Sequence, residues 1–174
     1  TLDRSSAASD VYKRQELDIG LGLDFGLAPG VAAAFVAEDE LVAVLADTHR
    51  LSRRAAVTWQ DLKHEPLAVL SRGSTYEMIV STLRQQGADL AATDTLNYTD
   101  TLYSLVRAGL RVGLISRLYT QGQRVDGLAI VPVQRPQMTR RICLMTRAPE
   151  SQARAAVQRC YAELAAMLRG RAGP

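Results

Sequence analysis

Residues Ser104–Arg117 read "SLVRAGLRVGLISR", and the fold turns on how this stretch changes its period at one glycine. Before the glycine, Leu102, Leu105 and Val106 recur at helical spacing; after it, Val112-Gly113-Leu114-Ile115 is a short, almost unbroken apolar run. Gly109 fits the position just past a helix end, where a left-handed backbone stops the helix at little steric cost. An apolar run this short suits a strand covered on both faces, as in the middle of a parallel sheet. Upstream, "NYTDT" (Asn97–Thr101) opens the helix. Asn97 is a good N-cap for a helix over Tyr98–Ala108, and Asp100 is favourable in its first turn. A helix that drops directly into a buried strand is the repeating unit of an α/β protein.

The neighbouring sequence continues the pattern. "ATDTL" (Ala92–Leu96) reads as the preceding strand, and Ser74–Gln86 as a helix ended by Gly87. Ser74 and Glu77 have capping-box spacing, and Tyr76, Ile79, Val80 and Leu83 share one helical face. "LAVLS" (Leu67–Ser71) is a short buried strand after Pro66, and "TWQDLKH" a helical turn capped by Thr58. Toward the N-terminus, Leu17–Leu23 reads as a strand, and Val31–Ala46 as one or two strands broken at Glu38-Asp39. Toward the C-terminus, Leu128–Val133 and Arg140–Thr146 are extended. Glu150–Arg169 is an amphipathic helix with Ala153, Ala156, Val157, Cys160, Tyr161, Leu164 and Leu168 inward, and residues 170–174 form a fraying tail. Residues 1–15 have no apolar core, so they form no signal peptide; they read as a foreign or disordered leader.

Composition narrows the function. The chain has 174 residues, 47% hydrophobic and 22% charged, an ordinary globular balance. Its formal charge of +3 is slight, and the arginines are scattered, so nucleic-acid binding by this segment is not indicated. No apolar run approaches the ~20 residues of a membrane span. The cysteines, Cys143 and Cys160, read as free buried thiols of a reducing cytoplasm. Two Cys and two separated His offer no zinc-ligand spacing.

In open α/β sheets, ligands bind beyond the carboxyl ends of strands, where helix N-termini point their unpaired amides. Two junctions are rich in hydroxyls. "SRGST" (Ser71–Thr75) offers two serines, a threonine, Arg72 and a glycine that permits close approach; Asn97–Thr101 offers an amide, a phenol and two hydroxyls. If their strands are neighbours, the pair suits a small anion, best a carboxylate. Ser74 and Asn97 taken singly are equally what plain caps look like. "GLGLDFG" (Gly20–Gly26) has its third glycine one residue late for a dinucleotide loop, and no helical pattern follows it directly. His49 and His64 lie in polar turns, Trp59 at core spacing. No acid–base pair, nucleophile elbow, phosphate loop or metal motif is present, so no catalytic residue is assigned.

Three passages in order resemble the effector-binding domain of LysR-type transcriptional regulators. "ELDIGLG" resembles the strand that follows that family's leucine-rich helix. Residues 38–74, with Glu38–Glu40, Leu41–Leu45, His49-Arg50-Leu51, Val57, Asp61-Leu62 and Pro66–Leu70, resemble its linked strand, turn and strand pattern. "LVRAGLRVGLISR" resembles its Val-x-x-Gly-x-Gly-apolar signature. Arg50 stands where proline is usual, Arg111 where a second glycine is common, and Ser116 where a proline often closes the strand.

The resemblance implies an α/β, periplasmic-binding-protein-like (type 2) two-lobed fold over residues 16–169. The second lobe, about 38–133, is complete; the first, about 16–37 and 134–169, is partial. It implies a cytoplasmic sensor that takes a small effector between its lobes, through Ser71, Gly73, Ser74, Thr75, Asn97, Tyr98 and Thr99. It implies no cofactor and no metal. DNA would be held by a winged helix-turn-helix absent from this chain, in a full-length homodimer or homotetramer. A solute-binding protein of an uptake system on the same fold stays open as the alternative. An enzyme would need an acid–base pair that the sequence does not display.

Overall fold

The computed structural model describes residues 18–23, 31–71, 74–87, 93–147 and 155–171. The leader 1–15, Arg72, Gly73, Ala153 and residues 172–174 lie outside this set, as does the side chain of Ser74. The chain begins with strands β1 (Ile19–Leu23), β2 (Val31–Ala46) and β3 (Val57–Thr58), then the one-turn helix α1 (Trp59–Leu62). Strand β4 (Leu67–Leu70), helix α2 (Ser74–Gln85), β5 (Thr93–Leu96), helix α3 (Thr99–Arg107) and β6 (Val112–Ser116) follow. A 3₁₀ turn (Arg117–Thr120), β7 (Leu128–Gln134), β8 (Thr139–Arg147) and helix α4 (Ala155–Arg171) complete it.

Two compact units emerge, Thr1–Asp39 with Arg140–Pro174, and Glu40–Thr139. β2 is a single strand of 16 residues, not two, although the chain changes unit within it. Its acidic residues do not break it because their charges find distant partners. In the first unit the buried Asp39 carboxylate accepts from Arg140 Nε at 3.1 Å, and the Arg140 Nη2 group reaches the same oxygen. In the second, Arg117 Nε donates to Glu40 Oε1 at 2.5 Å and Gln137 Nε2 to Glu40 Oε2 at 3.2 Å.

The unit Glu40–Thr139 is built on a sheet in the order β5-β4-β6-β2-β7, with β3 beyond β7. β4 runs parallel to β5 and to β6. β6 is therefore parallel on one side only; against β2, which runs the opposite way, it pairs antiparallel. Alternating residues divide the core between two faces. Leu41, Ala43, Leu45, Leu67, Val69 and Leu114 pack under α1 and α2, with Trp59, Leu62, Ile79 and Leu83. Val42, Val44, Ala68 and Ile115 pack under α3, with Leu102, Tyr103 and Val106. Burial on both faces is why β6 reads as an unbroken apolar run. Trp59, fully buried, donates from Nε1 to the Pro136 carbonyl at 2.9 Å. α1 opens with a capping box: Thr58 Oγ1 accepts from Asp61 N–H, while Asp61 accepts from the Thr58 N–H at 2.8 Å. Hydrogen bonds from the Thr58 hydroxyl and then its backbone N–H, reinforced by nearby Arg54, hold the Asp61 carboxyl below the usual carboxylate range.

Gly109 does what its position demands. With φ +70°, it donates to Val106 O at 2.9 Å, while Leu110 N donates to Leu105 O at 3.0 Å. This is a Schellman closure, and it lets the chain enter β6 within three residues.

In the other unit, β1 pairs antiparallel with β8, and β8 neighbours β2. Val36, Ile142, Leu144 and Ala165 form the core under α4, with Tyr161, Leu164 and Leu168 against it. Of the residues expected inward on α4, Cys160 and Ala156 are exposed instead, and Ala165 takes the central place. At ~100° per residue the stripe 157-161-164-165-168 is continuous, and position 160 falls at its margin. Cys143 is buried, and neither cysteine is in a disulfide.

Gly113 is where α3 meets the sheet. A Cβ built there lies 2.6 Å from Leu102 Cδ2 and 3.3 Å from Val106 Cγ2. Gly113→Ala forces Leu102 out of its place and is expected to cost ~1–3 kcal/mol, a fall of roughly 2–4 °C in Tm per kcal/mol for a chain of this size. An unchanged thermal melt contradicts this packing.

Candidate functional site

β4 and β5 are parallel neighbours with Leu70 and Leu96 in register, so the residues that follow them emerge side by side. Ser71 N–H donates to Leu96 O at 2.7 Å, and Ser71 Oγ donates to Asn97 Oδ1 at 2.7 Å. The two hydroxyl-rich junctions are thus joined directly. This corrects the expected role of Asn97. Tyr98, with extended backbone (φ −128°, ψ 136°), is the N-cap of α3, and its own side chain makes no capping hydrogen bond. The Ser71 hydroxyl engages the Asn97 carbonyl, and α3 begins one residue later than expected. The N-cap side chain thus leaves the first amides of α3 unengaged, and unpaired amides at a helix start favour an anion.

The other expected contacts fall around this bond. Thr75, half-buried, stands in the first turn of α2, and Thr99, half-buried, opens α3. Tyr98 is 73% exposed. α2 starts at Ser74 itself, so this residue is helical rather than flanking; its hydroxyl, like Gly73, lies outside the described residues.

Sheet order adds what local sequence does not contain. From β4 the chain leaves through α2 toward β5; from β6 it leaves through the 3₁₀ turn toward β7, on the other side of the sheet. Adjacent parallel strands whose connections diverge leave a crevice at their carboxyl ends. A cavity of about 30 Å³ sits there. Its apolar floor is Leu70, Ile79, Leu114 and Ile115; Thr75, Tyr76, Ser116 and Tyr119 place hydroxyl-bearing side chains around it. Ser116 and Tyr119 were not among the expected site residues. The signal was available, since "LISRLY" is a strand end followed by polar and aromatic groups, but only knowledge that β6 neighbours β4 gives it meaning.

The wall formed by the 3₁₀ turn is held at several points. Tyr103 OH donates to Tyr119 O at 2.8 Å, and Thr120 Oγ1 donates to Arg117 O at 2.7 Å. Burial pushes the Tyr103 phenol above its ordinary pKa, so it stays a donor well into alkaline solution. Among the described residues, no charged side chain lines the cavity. His49 is far from it: β2 runs antiparallel to β6, so the turn after β2 lies at the opposite edge of the sheet. There His49 Nε2 is 3.4 Å from Glu65 Oε2, and its Nδ1 accepts from Leu51 N–H at 3.2 Å. Among the described residues no group of three or more His, Cys, Asp or Glu is placed to hold a metal ion. None of their helices is long and apolar enough to cross a membrane. Among the described residues that line the cavity there is no acid–base pair.

This is the mixed α/β fold of the periplasmic-binding-protein-like type 2 class. Residues 1–169 match the LysR substrate binding domain family, and the chain belongs to it. The chain is thus a LysR-type effector-binding domain, and the curated relatives it matches are described as transcriptional regulators. It is 32% identical over 108 residues to an uncharacterized HTH-type transcriptional regulator, YvbU, of Bacillus subtilis, covering 62% of this chain and 36% of that protein. It is 28% identical over 153 residues to a probable nitrogen assimilation transcriptional activator of Synechococcus elongatus, covering 85% of this chain and 49% of that one. The chain thus spans between about a third and half of the length of these relatives. Among solved structures it resembles the reduced form of the OxyR regulatory domain from Pseudomonas aeruginosa, with TM-score 0.74, 18% identity, and coverage of 92% of this chain and 76% of that one. At that identity the likeness is one of fold.

Tyr103→Phe removes the donor that fixes the 3₁₀ turn and is expected to lower stability by ~1 kcal/mol. In urea the midpoint should fall with an unchanged m-value. An unshifted midpoint contradicts this role for the bond.

Proposed function

We propose that this chain senses a small carboxylate at the carboxyl ends of β4, β5 and β6, and that its occupancy governs DNA binding by a winged helix-turn-helix elsewhere in the full-length regulator. The observation that carries the reading is the Ser71–Asn97 hydrogen bond, because it unites two hydroxyl-rich helix starts and engages Asn97 while the N-cap Tyr98 makes no capping bond of its own. The amides at the starts of α2 and α3 and the hydroxyls of Thr75 and Thr99 are neutral donors suited to a carboxylate. Ser71, Gly73, Ser74, Asn97 and Tyr98, from the same two stretches of sequence, complete the proposed contact set. Association of the full-length regulator as a homodimer or homotetramer belongs to the same proposal. The DNA-binding segment is supported by the relatives, which are transcriptional regulators matched over only part of their length.

A thermal-shift screen of small carboxylic acids, each paired with its uncharged amide, tests the reading. A ligand at 100 times its Kd stabilises the folded chain by about 2.7 kcal/mol, enough to raise Tm by roughly 5–10 °C. Acids are expected to produce this shift and their amides not. In the Ser71→Ala/Thr99→Ala double variant, affinity should fall by about tenfold or more. A shift that survives the double variant overturns the site; shifts from amides equal to those from acids overturn the carboxylate.

A further inference from the structure

We infer that the cavity between the ends of β4 and β6 is a subsite for a short, uncharged alkyl group, so that the effector is a small aliphatic acid with a tail of about one to three carbons and not an aromatic one. This rests on the carboxylate-sensing function proposed above and adds the chemistry of the group that is buried.

The argument is one of size, lining and stiffness. At about 30 Å³ the cavity holds a group of methyl size; a dry cavity that accepts a benzene ring is several times larger, on the order of 150 Å³. Four aliphatic side chains, Leu70, Ile79, Leu114 and Ile115, form its floor, and among the described residues nothing charged faces it. An ionised end would enter without a counter-charge, whereas an alkyl end loses nothing by leaving water. The charged end of the ligand is then directed outward, to the helix starts.

The floor cannot recede to admit something larger. Ile79, Leu114 and Ile115 are each at most 1% exposed and already packed into the two cores. β6 is hydrogen-bonded to β4 on one side and β2 on the other. The remaining wall is tied down through Tyr103 to the Tyr119 carbonyl. Close-packed interiors of this kind yield little to an oversized group. Tyr76, half-buried, and Tyr119, 49% exposed, flank the pocket, so an acid with a longer tail would have to leave its end in water.

Calorimetric titration of the whole chain with acetate, propionate, butyrate, valerate and benzoate, and with propionamide, tests this. Each methylene that enters the cavity should tighten binding about fourfold. The affinity should rise from acetate to a maximum at propionate or butyrate, then fall at valerate and again at benzoate. Ile79→Val, which removes one methyl from the floor, should move the maximum one carbon longer; the unmutated series decides the matter even if that variant is poorly folded. Affinity indifferent to chain length, or rising steadily through valerate and benzoate, overturns the subsite while leaving carboxylate sensing intact. Propionamide binding as tightly as propionate overturns carboxylate sensing and leaves the alkyl subsite standing. No binding by any of the six overturns both.

Discussion

The handedness of parallel crossovers governs the unit Glu40–Thr139, which carries the candidate site. From β4 the chain steps to β5 and then back across β4 to β6, so the two connections travel in opposite directions along the sheet. A right-handed crossover in each case sends the two connecting helices to opposite faces. α2 and α3 do lie on opposite faces: α2 packs on the side to which Val69 of β4 points, and α3 on the side to which Ala68 points. Both helices nevertheless begin at the same edge, because both follow parallel strands. Their amide ends, the carboxyl ends of β4, β5 and β6 and the small cavity are consequences of that single reversal.

The reversal demands close packing, and particular residues supply it. Gly113 lets Leu102 and Val106 of α3 approach β6 to a distance that any side chain at that position would block. Gly109 ends α3 abruptly enough for the chain to enter β6 at once. The opposite face is filled by Trp59, Leu62, Ile79 and Leu83. The floor of the cavity is part of these cores, which is why its size is a property of the fold and not of a mobile loop. Asn97 shows the local side of the same economy of space. Its side-chain carbonyl accepts from Ser71, and Tyr98, the N-cap of α3, makes no capping bond of its own.

What the sequence disclosed was local, and what it withheld was not. The stop at Gly109, the capped turn at Thr58, the core position of Trp59 and the hydroxyl-rich junctions at 71–75 and 97–101 are each written within a few residues. The continuity of β2 through Glu38-Asp39 is not, because the partners of Asp39 and Glu40 are Arg140 and Arg117, 101 and 77 positions away. The bond that takes Asn97 out of its cap comes from a serine 26 positions earlier. Ser116 and Tyr119 line the cavity only because β6 neighbours β4, a fact of sheet order. The misplaced Cys160 has a simpler cause: it lies at the margin of the apolar stripe, where a helical wheel does not separate inside from outside.

The central claim is that ligand is received where β4, β5 and β6 end. Backbone amide NMR during titration with sodium propionate tests it most directly, because it reports where a ligand sits without altering any residue. The account predicts perturbations concentrated at Ser71, Thr75, Asn97–Thr99 and Ser116–Tyr119. Perturbations that leave these amides unmoved and gather instead on α4, or at the opposite sheet edge around His49, would contradict it.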